Sequence, residues 1–107
     1  DALGQILKGA TVIVRGDAGD SVGLYMVNGE IIIVGSAGEL VGDWMIRGAI
    51  YVGGGYRSLG HNAKEVKPSE EDVKRLSELL NRYEIKADPS GFRKIVPVST
   101  RPFYGGK

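Results

Sequence analysis

Glu39, Asp43, Arg47 and His61 are the residues of this sequence whose types could run acid–base chemistry, and Tyr56, Arg57 and His61 could together line a small-molecule groove. A histidine oriented by a carboxylate is the usual general base, but it needs a reacting group within hydrogen-bond reach. His61 is the sole histidine and cysteine is absent, which removes disulfide scaffolds, thiolate metal sites, cysteine nucleophiles and most zinc and triad arrangements. In a chain with 25% charged residues, carboxylates and bases fall near one another as solvated ion pairs. His61, directly after Gly60, therefore reads as a surface residue. Asp17 and Asp20 suggest a calcium-binding glycine-aspartate repeat, but their counterparts in later copies are Ser36 and Glu39, then Gly54 and Arg57, so the oxygen ligands do not recur. Gly53-Gly54-Gly55 lacks the final glycine of a dinucleotide fingerprint, having Ser58 there, and no Gly-Lys-Ser/Thr of a phosphate loop occurs. No catalytic, cofactor-binding or metal-ligating residue is assigned.

Elements too few for a multi-domain enzyme must position whatever these residues do. The 107 residues make a single domain, 1–107. Lys and Arg total 14 against 13 Asp and Glu, a net charge of +1, which supplies no excess cation for a nucleic-acid backbone. Apolar runs such as Ile31–Val34 are too short to cross a bilayer. Asp1 is not followed by a basic-then-apolar leader. These features predict a soluble cytoplasmic chain with no membrane partner.

Glycine supplies 17 residues, and its spacing carries a repeat. Gly16-Asp17-Ala18-Gly19-Asp20-Ser21-Val22-Gly23 returns 19 residues later as Gly35-Ser36-Ala37-Gly38-Glu39-Leu40-Val41-Gly42, and 18 further on as Gly53-Gly54-Gly55-Tyr56-Arg57-Ser58-Leu59-Gly60. Ile13, Ile32 and Ile50 form a column ahead of the glycines, Val22, Val41 and Leu59 one between them, and Met26, Met45 and Ala63 one after them. A unit this short has no room for two helices, and its apolar runs suit strands of about 3.3 Å per residue. One circuit per repeat would stack like side chains in ladders, which predicts an all-β fold, a right-handed parallel β-helix of about three coils over 9–63. Gly16, Gly19, Gly23, Gly35, Gly38, Gly42, Gly53 and Gly60 are then structural corners, needed for turning or for close approach between coils. A three-coil stack has two open ends, which must be covered by the chain itself, by a partner or by self-association into a homo-oligomer.

The composition changes between Ala63 and Pro68. Ser69 followed by Glu70, Glu71 and Asp72 is an N-cap signal. Val73, Leu76, Leu79, Leu80 and Tyr83 then recur at helical spacing, predicting an amphipathic helix over 69–84 that closes one end of the stack. Glu70–Lys74, Glu71–Arg75 and Glu78–Arg82 are favourable pairs four apart on its solvated face. Asp88-Pro89-Ser90-Gly91 is turn chemistry, and 88–107 reads as an extended tail whose segment Phe92–Val98 is confined to an edge or loop by Pro97.

With these residues in place, Gly29-Glu30-Ile31-Ile32-Ile33-Val34-Gly35-Ser36-Ala37-Gly38, continued through Gly42 and Met45, resembles the repeat of the GXGXG domain. That domain is found at the C-terminus of the glutamate synthase large subunit and in one of the subunits of formylmethanofuran dehydrogenase. The resemblance covers roughly residues 9–63, and the stretch Phe92–Tyr104 also looks like the end of an archaeal-type glutamate synthase polypeptide. It implies a β-helix with an architectural role, as a non-catalytic subunit or domain of a glutamate synthase-like complex for glutamate biosynthesis and nitrogen assimilation. Glutaminase and FMN synthase chemistry, with FMN and iron–sulfur cofactors, would reside on partner subunits and none on this chain. Alternatives are a subunit of a molybdenum or tungsten formylmethanofuran dehydrogenase, a self-assembling solenoid without enzyme partners, or a free-standing binding module at Tyr56, Arg57 and His61. The family domain has more coils than the three seen here.

Overall fold

A computed structural model describes residues 11–23, 26–27 and 29–99. Strands β1 (Thr11–Val14), β2 (Glu30–Ile33) and β3 (Ala49–Val52) come from the three apolar runs. They are followed by β4 (Ala63–Val66), helix α1 (Glu70–Arg82), a single 3-10 turn at Pro89–Gly91 and β5 (Arg93–Pro97). All five strands form one sheet in the order β1-β2-β3-β5-β4. The first three are parallel, and β5 runs antiparallel to both its neighbours.

The β-helix expectation is therefore overturned. Among the described residues only three strands are parallel, an antiparallel strand is interposed between β3 and β4, and the sheet is mixed and not closed, with a helix on it. The physical reason lies where the repeat ends. Beyond Gly60, β4 leaves the course of the earlier strands, and β5 returns after the helix to take the edge of β3 and pair antiparallel with both β3 and β4. A sequence repeat reports how adjacent copies pair; it carries no information on what pairs with the last one.

Pairing among the repeats also differs in detail from the columns. β1 pairs with β2 at 19 residues, and β2 with β3 likewise at 19, so Ile31 faces Ile50 and Ile32 faces Tyr51. The shorter third repeat is accommodated later, because Val41 bridges Leu59 at 18. Up to Arg57, whose N–H reaches Gly38 O, the spacing is still 19, so Ser58 absorbs the missing residue.

Both faces of the sheet are covered, which is why its strands are apolar at successive positions. One face buries Ile31, Ile33, Ile50, Val52 and Ile95 with Val22, Met26, Val41 and Met45 from the turns. The other buries Ile32, Ala49 and Tyr51 against Leu76 and Leu80 of α1 and Phe92. Each such aliphatic side chain contributes about 1.5–3 kcal/mol on leaving water.

α1 thus lies across a face of the sheet and does not close an end of the stack. Its start is set by a capping box: Asp72 N donates to Ser69 Oγ at 3.1 Å and Ser69 N donates to Asp72 Oδ2 at 3.0 Å. Of the apolar stripe, Leu76 and Leu80 are buried while Tyr83 is 46% exposed. Arg75, expected to pair with Glu71, instead reaches Glu30 of β2 through three contacts of 2.6–3.2 Å. The segment around Pro97, expected at an edge, is an internal strand; Pro97 is its last residue, where the missing N–H costs little. Residues 100–107, the remainder of the predicted tail, lie outside the described residues, as do Gly9 and Ala10 at the start of the predicted repeats.

Candidate functional site

The turns between strands stack on one another, and their polar side chains bond to the neighbouring turn. Asp17 Oδ1 accepts from Ser36 N and Asp20 Oδ1 from Glu39 N, both at 2.8 Å. One repeat on, Ser36 Oγ accepts from Gly55 N at 3.3 Å and Ser58 Oγ from Leu40 N at 2.9 Å. Asp43 Oδ1 accepts from His61 N at 2.8 Å. Each of these oxygens satisfies a backbone donor that the turn leaves unpaired, the role short polar side chains play wherever the chain changes direction.

That pattern explains several of the predicted corners. A Cβ at Gly35 or Gly38 would run into the Asp17 or Asp20 carboxylate of the preceding turn, and one at Gly54 into Ser36 Oγ. At Gly53 it would meet Val34 O, and at Gly60 the Asp43 backbone. Gly23 and Gly42 turn with φ of 76° and 72°. At Gly16 no atom of the described residues lies within 4 Å of the Cβ position, and Gly19 lies in the first turn, where its carbonyl accepts from Gly38 N. The signal in the sequence was a short polar residue followed 19 positions later by a residue beside a glycine.

The chemistry-bearing residues separate into pairs. His61 Nδ1 lies 2.8 Å from Asp43 Oδ1, and the ring stacks on Trp44 with centroids 4.9 Å apart and planes 6° from parallel. The His61 side chain is 65% exposed while that of Asp43 is 14% exposed. Glu39 and Arg57 form a separate, exposed contact at 4.0 Å. Arg47 is exposed and belongs to neither pair. Tyr56 donates to Glu65 Oε1 at 2.5 Å, and Arg93 lies 3.5 Å from the same carboxylate. Burial and the Glu65 hydrogen bond push the Tyr56 hydroxyl up to about 12. Tyr56, Arg57 and His61 thus face three different partners and are not brought together as one groove. The Asp43–His61 contact has the form of an orienter and a base, but its Asp is shared with backbone, as the other turn carboxylates are.

Two features had no clear sequence signal. Asn62 clamps the exit from the repeats: its amide donates to Met45 O and Ser99 O at 2.8 and 2.7 Å, and its carbonyl accepts from Ser99 N at 3.0 Å. Between α1 and the sheet, Asp72 accepts from Lys94 Nζ at 2.7 Å and from Tyr51 OH at 3.2 Å. Burial alone would raise the Asp72 carboxyl, but the Lys94 and Ser69 hydrogen bonds prevail and hold it at about 2. Burial, then Asp72, raises the Tyr51 hydroxyl.

A groove runs between the outer edge of β1 and the last turns of α1. Its two lobes, of about 250 and 210 Å³, share Thr11, Ile13 and Tyr83. Arg15 donates to Tyr83 O across it at 2.7 Å, and Arg82 lines its helix side. Among the described residues no three His, Cys, Asp or Glu side chains converge as metal ligands, and no helix is long and apolar enough to cross a membrane. No protein-family model matches the chain, and no curated protein or solved structure matches it either.

Proposed function

We propose that this chain is a non-catalytic structural part of a glutamate synthase-like assembly in the cytoplasm, holding glutaminase and FMN synthase parts in fixed relation. The observation that carries the architectural half of this reading is the use made of the polar turn residues. Asp17, Asp20, Ser36, Asp43 and Ser58 all bond to backbone of the adjacent turn, so the groups that could do chemistry serve to lock repeats together. The glutamate synthase half rests on the Gly29–Met45 motif. FMN and iron–sulfur chemistry belong to the partner subunits on this reading, and the chain contributes shape.

Affinity purification of the chain from its native lysate at low salt, with mass spectrometric identification of what accompanies it, tests the proposal. Recovery of an FMN-binding synthase chain with a glutaminase-like chain is the expected result. Pterin-dependent dehydrogenase subunits in their place would transfer the scaffold to the formylmethanofuran dehydrogenase type of complex, and recovery of the chain alone would overturn the scaffold reading.

A further inference from the structure

We propose that the edge of β1 away from β2, which no strand of the described residues pairs, forms with its turn a docking site for an extended, Asp-bearing strand of a partner polypeptide, paired parallel to β1 as β1 is to β2. Gly16 is a glycine that no constraint among the described residues requires. Gly16, Gly35 and Gly54 stand at equivalent places 19 residues apart, and Gly35 N and Gly54 N each donate to the carbonyl of the glycine before. Gly35 and Gly54 leave no room for a Cβ because a side-chain oxygen of the preceding turn and the backbone of Gly16 or Gly35 occupy it. At Gly16 no atom of the described residues occupies the same space, and its φ is not in the left-handed region. Neither turning nor crowding within the described residues accounts for it, whereas a further turn seated on this edge would.

Backbone donors without an acceptor among the described residues sit beside that space. Gly35, Ser36, Gly38 and Glu39 donate their N–H groups to the preceding turn, to Gly16 O, Asp17 Oδ1, Gly19 O and Asp20 Oδ1. Their equivalents one repeat earlier, the N–H groups of Gly16, Asp17, Gly19 and Asp20, have no acceptor among the described residues. Strand edges with unpaired backbone groups are templates for an added strand. The chemistry of the occupant follows: two backbone carbonyls, and two carboxylates placed three residues apart to receive Asp17 N and Asp20 N. In the adjoining groove Arg15 and Arg82 outweigh Glu78, while Arg75 is held by Glu30, and this positive balance favours an acidic strand; Ile13 offers it an apolar contact. The inference is independent of which assembly the chain serves.

The test adds to the full chain a synthetic peptide copying Thr11–Gly23, which carries its own two Asp residues at the required spacing, and follows backbone amide shifts by NMR. Saturable shifts at Gly16, Asp17, Gly19 and Asp20 are expected. A peptide with both Asp replaced by Ala should bind at least about fivefold more weakly, since it loses two charge-assisted hydrogen bonds. Gly16→Val in the chain should leave its melting temperature unchanged and abolish the shifts. Absence of saturable shifts up to about 2 mM peptide, a very weak limit, overturns the proposal. So does binding confined to β4, binding indifferent to Gly16→Val, self-association of the chain through the β1 amides, or a lowered melting temperature of Gly16→Val, which would mean that the chain covers this edge itself.

Discussion

The repeat region, from β1 to Gly60, and the region after it solve the same problem by different means. In the repeats, adjacent turns approach until only glycine fits, and backbone groups bond to backbone or to a short side chain one repeat away. After Gly60, α1 and β5 are held by apolar side chains and by long charged ones, Arg75 to Glu30, Lys94 to Asp72 and Arg93 to Glu65. Backbone contacts tolerate almost no added volume, whereas side-chain contacts can shift by a rotamer. The first region should break at single atoms, and the second should loosen by degrees.

Gly60→Ala presses that contrast hardest. Its Cβ would collide with the backbone of Asp43, which has no alternative rotamer, and the expected loss is about 3 kcal/mol or more in denaturant unfolding. A loss below about 0.5 kcal/mol would remove the close-approach account of this corner. Leu76→Ala, on the helix side, should cost about 2–4 kcal/mol. Its signature is different: hydrogen exchange should quicken in α1 while the amides of β2 keep their protection, and equal quickening in both would show that the two regions unfold as one unit.

Asp72→Asn sharpens the comparison through pH. The folded carboxyl, at about 2, lies below its unfolded value of about 4, so its contribution is complete above pH 4 and is lost as pH falls towards 2. The variant should be less stable at neutral pH and should flatten acid unfolding in that window. An unchanged acid profile would show that the Lys94–Asp72–Ser69 arrangement does not form in solution. The smallest effect is expected at Leu40, which holds φ 57° and is 38% exposed. Leu40→Gly should relieve left-handed strain and raise stability by about 0.5 kcal/mol, net of the added chain entropy; a loss of similar size would show that Leu40 packs more than its exposure suggests.

Much of the repeat region was legible because its constraints are local in the repeat unit. Gly35 and Gly38 follow from Asp17 and Asp20 one repeat earlier, and the apolar runs mark β1, β2 and β3. The helix start was legible for the same reason, since Ser69 and Asp72 are three residues apart. The one-residue slip was misplaced because Ile32 and Ile50 are alike as residue types, and only backbone pairing distinguishes Ile50 from Tyr51 as the neighbour of Ile32. Tyr56, Arg57 and His61 suggested a groove by proximity in sequence, yet their partners Glu65, Glu39 and Asp43 lie on three different stretches of chain.

By itself the sequence determined the period, the residues that must be small, and the two-sided burial of the central strands, because each depends on residue type at a fixed spacing. The tertiary structure decided that β5 enters between β3 and β4, that α1 lies on a face, and that Arg75 prefers Glu30 to Glu71. Those outcomes depend on which surfaces meet after a long connection. Ile95 and Arg75 would suit many neighbours equally; in the assembled sheet β5 takes the edge of β3, Ile95 is fully buried there, and among the described residues no buried side-chain polar atom lacks a partner.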